Sequence, residues 1–217
     1  MRNNTRVFFG VIAAAILSLS AGAAVWSVNE LSHQDQITEV QAGEGNYWSG
    51  LVTDGSQYGN TYRKAIQDAI KAKNPKTIGY SANNAVLKLS DENPKHKGNI
   101  TPFYHGPDKY ISSGWNKEHV WPNSRGAGES GPGSDPQMLR PTVSSENSER
   151  GNKMYAESGA YDPASLGFAD ARGQAARIIF YTATRYYQTC GSGGSAKGKG
   201  GLELTNNVND ASSNNTM

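Results

Sequence analysis

The chain has 217 residues, of which 36% are hydrophobic and 18% charged, with 25 glycines, 9 prolines and 11 tyrosines. This is the composition of a loop-rich globular protein and excludes a helical bundle or a coiled coil. A single cysteine, Cys190, excludes an intrachain disulfide framework and any zinc site built on several thiolates.

The four histidines are His33, His96, His105 and His119, and none is spaced as HxxxH or HExxH. A bound metal is therefore expected to be a hard ion held by oxygen ligands. At the N-terminus, Arg2 and Arg6 precede the apolar run Val7–Leu17, and Ala21-Gly22-Ala23 has the form of a signal-peptidase site. Residues 1–23 read as a signal peptide, which predicts a secreted or periplasmic protein. An uncleaved anchor over residues 7–26 is the alternative. Cleavage removes two arginines and no acids, leaving 19 basic and 19 acidic residues. A formally neutral chain is no generic polyanion binder, so a nucleic-acid substrate calls for a few placed arginines and a bound metal.

Residues 24–45 are polar and aperiodic and read as a flexible lead-in. Residues 46–217 read as one domain whose C-terminal part is incomplete. A helix is predicted over Thr61–Lys73, where Tyr62, Ile66 and Ile70 recur every four residues before Asn74-Pro75. A short helix over Ala82–Leu89 and a turn-rich loop over 91–99 follow. Residues 100–104 and 110–121 are rich in β-branched and aromatic side chains and are predicted strands. Residues 123–134 can form only a loop. A strand over Met138–Val143 leads to Ser144 or Ser145 as a helix N-cap. The longest helix covers Phe168–Tyr187, with Ala171, Ala175, Ile178, Ile179, Thr182, Ala183 and Tyr186 along its apolar stripe. After Cys190 the Gly- and Ser-rich tract reads as flexible, and no closing hydrophobic element is visible. Helices around a few short antiparallel strands make the fold class α+β.

Chemistry concentrates in Trp115-Asn116-Lys117-Glu118-His119-Val120-Trp121-Pro122. Adjacent residues of a regular strand face opposite ways, so Glu118 and His119 serve one centre only if the strand bends or another element approaches. The Met138–Val143 strand and the helix behind it can supply that element and bring Asn147 to the loop mouth. A carboxylate and a carboxamide suit Mg²⁺, and a neutral imidazole beside it can take a proton from water. That combination fits hydrolysis of a phosphodiester, although a Glu-His pair in isolation is more often a plain surface feature. Trp115 and Trp121 read as core aromatics rather than base-stacking platforms.

The same segment resembles the signature of the bacterial endonuclease I family, periplasmic DNases and secreted ribonucleases of the His-Me finger (ββα-metal) superfamily. Asp135-Pro136-Gln137-Met138-Leu139-Arg140-Pro141-Thr142, Glu146-Asn147-Ser148-Glu149-Arg150-Gly151-Asn152 and the helical stretch from Ala171 to Tyr186 extend the similarity in order. The resemblance implies a ββα-metal core, with His119 as general base and Glu118 and Asn147 as ligands of Mg²⁺ or another hard cation such as Ca²⁺ or Mn²⁺. It also implies an arginine on the scissile phosphate. Arg125 is the candidate by position, with Arg140 and Arg150 as alternatives. The implied substrate is DNA and/or RNA, and no stable protein partner is implied. The chain departs from the family at Gln137, where a histidine is usual, and in its polar C-terminal tract. Those departures motivate an alternative reading, a catalytically impaired member that serves as a nucleic-acid-binding surface module. A hydrolase acting on cell-wall material is a third class, but it calls for a carboxylate pair or a zinc site that the sequence does not single out.

Overall fold

The computed structural model describes residues 51, 59–73, 75–76, 78–194, 200–210 and 215–216. The signal peptide and lead-in expected over residues 1–45 lie outside the described residues. The chain divides into two compact units, Met1–Thr77 and Ile78–Met217. In the first, helix α1 spans Gly59–Ala72, close to its predicted bounds, and buries Gln67 and Ile70. Lys64 and Asp68, one turn apart on its exposed side, pair at 2.6 Å.

The second unit opens with a 3-10 turn, Tyr80–Ala82, that runs into helix α2, Asn83–Ser90. Val86 and Leu87 turn inward, and the buried Asn83 donates its amide to the Ser134 carbonyl at 2.8 Å. The strands expected over 100–104 and 110–121 form only in part. Ile100 and Ile111 exchange main-chain bonds of 2.9 and 3.0 Å as an isolated bridge. Pro102 and Pro107 have no N–H to extend that ladder, so the chain turns instead. The buried Asn93 fastens the turn, its Nδ2 donating to Thr101 Oγ1 and to the carbonyls of Pro107 and Lys109. Gly114, at φ +72°, makes the left-handed corner before strand β1, Trp115–His119.

Strand β1 pairs antiparallel with β2, Leu139–Val143, so that Trp115 faces Val143 and His119 faces Leu139. Pro141 has no N–H to give within β2, and its carbonyl accepts the Phe103 N–H at 2.8 Å. The loop between the strands contains two 3-10 turns, Asn123–Arg125 and Gly131–Ser134. Helix α3, Ser144–Arg150, follows β2 directly, with Val143 rather than a serine at its N-cap. The expected capping serine has another use, since Ser144 Oγ donates to the Gly114 carbonyl at 3.0 Å and fastens α3 to the start of β1.

Helix α4, Asp170–Arg185, buries Ala171, Ala175, Ile178, Ile179, Thr182 and Ala183, as its periodicity indicates. That stripe shares one core with Leu87, Phe103, Tyr104, Val120, Trp121, Met138 and Leu139. Trp121 is fully buried there and Trp115 packs at the edge, so both act as core aromatics. The arrangement of helices and a small antiparallel sheet is α+β. Among the described residues no helix is long and apolar enough to cross a membrane.

Of the tract after Cys190 expected to be flexible, residues 195–199 lie outside the described residues, and residues 191–192 are instead bonded to the loop at 126–130. The Gly191 N–H donates to the Gly126 carbonyl at 2.7 Å, and the Ser192 carbonyl accepts the N–H groups of Glu129 and Ser130 at 2.8 and 3.1 Å. Glycine is required for this approach, because a Cβ at 191 would meet the Ala127 oxygen at 1.7 Å. Farther on, Leu202 is fully buried in the core, which supplies the closing hydrophobic residue the sequence reading lacked. Strand β3, Glu203–Leu204, then pairs in parallel with β4, Asn215–Thr216. Gly191→Ala is expected to cost about 1–3 kcal/mol through overpacking. Leu202→Ala is expected to cost about 2–5 kcal/mol through its cavity. Urea denaturation of each variant checks both, and wild-type midpoints would mean that this segment is not docked.

Candidate active site

Glu118 and His119 end strand β1, and the pleat sends their side chains to opposite faces. Both nonetheless line one open cleft of about 350 Å³. Tyr80, Asn116, Lys117, Asn123, Glu129, Asn147, Arg150, Gly151 and Asn152 complete its lining. The strand end, the loop behind it and helix α3 thus meet at one place.

Glu118 is 1% exposed, and its carboxylate is held on one side only. Oε1 accepts from Tyr104 Oη at 2.8 Å, from Tyr155 Oη at 3.1 Å and from Arg150 at 2.5 Å. None of these bonds uses Oε2. Burial pushes the Glu118 carboxyl upward, and Arg150 with the two hydroxyls works against that rise. Burial also raises both phenols, so their protons stay in place to donate. The guanidinium of Arg150 is itself 1% exposed and donates further to the His119 carbonyl at 2.5 Å and the Val120 carbonyl at 2.8 Å. It also lies 4.5 Å over the Tyr155 ring. Burial, the largest single influence, opposes its charge, and Glu118 together with Tyr155, Tyr104 and Tyr161 outweighs burial and keeps the guanidinium protonated.

His119 stacks on Tyr80 with ring centroids 5.3 Å apart and planes 23° apart. Burial lowers its imidazole to about 4, and the main chain of Gly133 and Gly128 opposes the shift. The ring is therefore neutral near pH 7, the form that accepts a proton. Its Nε2 is buried without a hydrogen-bond partner, an unusual condition for a polar atom. Asn147 sits on α3 and donates its amide to Asn116 Oδ1 at 2.7 Å and to the Lys117 carbonyl at 3.4 Å. Those bonds use the nitrogen, and neither engages the amide oxygen. The donor set accordingly fits a hard cation, with one carboxylate oxygen and one amide oxygen on offer and room left for water. Among the described residues there is no cluster of three or more His, Cys, Asp or Glu side chains suited to a metal. A multi-carboxylate or thiolate centre is not what this cleft resembles.

The three arginines considered for phosphate lie in different places. Arg125 donates from Nε to the Asn152 carbonyl and from a terminal nitrogen to the Asp210 carbonyl, both at 3.2 Å. Arg140 lies opposite Glu118 in the sheet and donates to the carbonyls of Pro136 and Leu139. Neither lines the cleft. Arg150 lines it, but its guanidinium is spent on Glu118 and the main chain. Gln137 is also outside the lining, and its main-chain N–H bonds Asp135 Oδ1 at 2.9 Å. Sequence reasoning missed Tyr104 and Tyr155, which grip Glu118 from 14 and 37 residues away, and no local pattern marks them.

Truncating Arg150 would leave the Glu118 carboxylate buried without its counter-charge. Arg150→Ala is expected to lower stability by about 3–5 kcal/mol, measured by denaturant titration. A loss below about 1 kcal/mol would show that the pair is not buried as described.

The profile of the endonuclease I family matches residues 50–217. The extracellular ribonuclease of Bacillus subtilis (strain 168) is 28% identical over 211 aligned positions, covering 82% of this chain and 73% of that protein. The extracellular ribonuclease of Bacillus amyloliquefaciens is 32% identical over 127 positions, covering 50% of this chain and 44% of that protein. No solved structure matches the chain. With well over half of its length matched by the profile, the chain belongs to the endonuclease I family, a family of nucleases.

Proposed function

We propose that this chain is a secreted, divalent-metal-dependent endonuclease that hydrolyses phosphodiester bonds of RNA and/or DNA, built on a ββα-metal core. One observation carries the reading. A carboxylate oxygen of Glu118 and the amide oxygen of Asn147, neither used by the protein's own bonds, share a cleft with a neutral His119. The order strand, loop, strand, helix that delivers them supports the ββα assignment. The names of the two Bacillus relatives favour RNA as the first substrate to test and support export.

Glu118 and Asn147 would hold the cation, with Mg²⁺ the first choice and Ca²⁺ or Mn²⁺ as substitutes. When bound, such an ion supplies charge stabilisation for the phosphorane-like transition state and the departing oxygen. His119 takes the proton of the attacking water as its oxygen bonds to phosphorus and the phosphorus–oxygen bond to the leaving group breaks. Tyr80 holds the imidazole plane by stacking, while Tyr104, Tyr155 and Arg150 fix the carboxylate from behind. Sequence preference is expected to be slight, because contacts of this kind read phosphate and not base edges.

The test uses the purified full-length chain with a structured RNA and a supercoiled plasmid, in Mg²⁺ or in EDTA. Cleavage is expected only with the metal, and His119→Ala is expected to lower the rate by about 10²–10⁴-fold with an unchanged circular dichroism spectrum. Cleavage that persists in EDTA or in His119→Ala overturns the proposal. A folded chain that binds nucleic acid without cutting it supports the binding-module reading instead. Asn147→Ala is expected to raise the Mg²⁺ concentration for half-maximal cleavage and to weaken Mn²⁺ binding measured by electron paramagnetic resonance. Unchanged metal affinity would remove Asn147 from the ligand set.

A further inference from the structure

We infer that Lys117 is the residue that binds a substrate backbone phosphate in this cleft, a role that none of the three arginines fills. The inference rests on the nuclease reading above. Lys117 and Arg150 are the Lys and Arg side chains that line the cleft, and Arg150 is committed to Glu118. Lys117 is two residues before His119, so the pleat places both side chains on one face about 7 Å apart. A phosphate whose phosphorus is attacked beside His119 lies within reach of an ammonium on that stem.

The ammonium is also positioned in advance. Its Nζ donates to Asn84 Oδ1 at 2.6 Å and stands 4.1 Å from the centroid of the Tyr80 ring. Tyr80 in turn stacks on His119, so one aromatic ring sets the spacing between the cation and the base. Asn84 takes one of three N–H donors, which leaves two for phosphate oxygens. Glu129 lines the same cleft and acts on Lys117 electrostatically. It is the internal anion with which a phosphate must compete. Lysine suits this place because it binds phosphate as a point charge and needs no planar, two-pronged approach.

The test measures binding of a fluorescein-labelled single-stranded oligonucleotide by the full-length chain in EDTA, by anisotropy across a range of salt concentrations. Wild type, Lys117→Met, Lys117→Arg and Arg125→Met are compared, with oligo(U) and oligo(A) as probes. Lys117→Met is expected to weaken both probes equally and to reduce the slope of log K against log salt by about 0.7. Lys117→Arg restores the slope, which a merely structural role would not require. In Mg²⁺, Lys117→Met is expected to raise KM more than it lowers kcat. An unchanged slope, a wild type that does not bind, or a slope lost in Arg125→Met in place of Lys117→Met overturns the inference. Wild-type binding without cleavage in Mg²⁺ would sink the nuclease reading alone, because the salt slope is read without turnover.

Discussion

The architecture of the cleft depends on one buried ion pair, Glu118 with Arg150. Arg150 closes the last turn of α3, and its guanidinium reaches Glu118 Oε1 and the carbonyls of His119 and Val120 at the end of β1. A charged group so deep is tolerable only with its partner and its hydrogen bonds in place. The pair therefore allows one register between helix and sheet. Asn147 lies three residues before Arg150, on the same side of the helix, so fixing the arginine also fixes the amide. Ion pair and prospective ligands are parts of one rigid assembly.

The cleft's electrostatics follow from where burial falls. His119 is desolvated enough to remain neutral, and the buried counter-charge for Glu118 lies behind the carboxylate, on the Oε1 side. A second buried hub steadies the loop beside the histidine. Asp135 Oδ2 accepts from Tyr181 at 2.8 Å and Tyr186 at 2.9 Å and pairs with Arg185 at 3.2 Å. The end of α4 thereby holds the chain directly after Gly133, whose main chain faces the imidazole. Two separate polar clusters thus bear on two adjacent residues, one through direct bonds to Glu118 and the other through the loop beside His119.

The sequence was most readable where a periodic or local rule applies. The stripe of α4, the loop between Asn123 and Ser134 and the strand leading into α3 all follow from spacing and composition. Donor chemistry and chain order singled out Glu118, His119 and Asn147, resemblance assigned them expected roles, and the fold brings them to a common cleft. The failures share a physical cause. A strand reading of residues 100–104 ignored that Pro102 withholds a donor, and a Gly-rich tract was read by composition although glycine is what permits the close packing of residue 191 on Ala127. Arg150 stood as an alternative phosphate-binding arginine, because its partner Glu118 is 32 residues away and no pattern joins them.

The bonds between residues 191–192 and the loop at 126–130 also bear on when the cleft takes shape. A growing polypeptide emerges N-terminus first, so Glu118, His119 and Asn147 all exist before the segment that clamps their loop has been synthesised. Contacts of such long sequence separation form late, after the intervening chain has paid its closure entropy. A partly made chain carries Glu118, His119 and Asn147 while lacking the contacts of residues 191–192 that fasten the loop beside them.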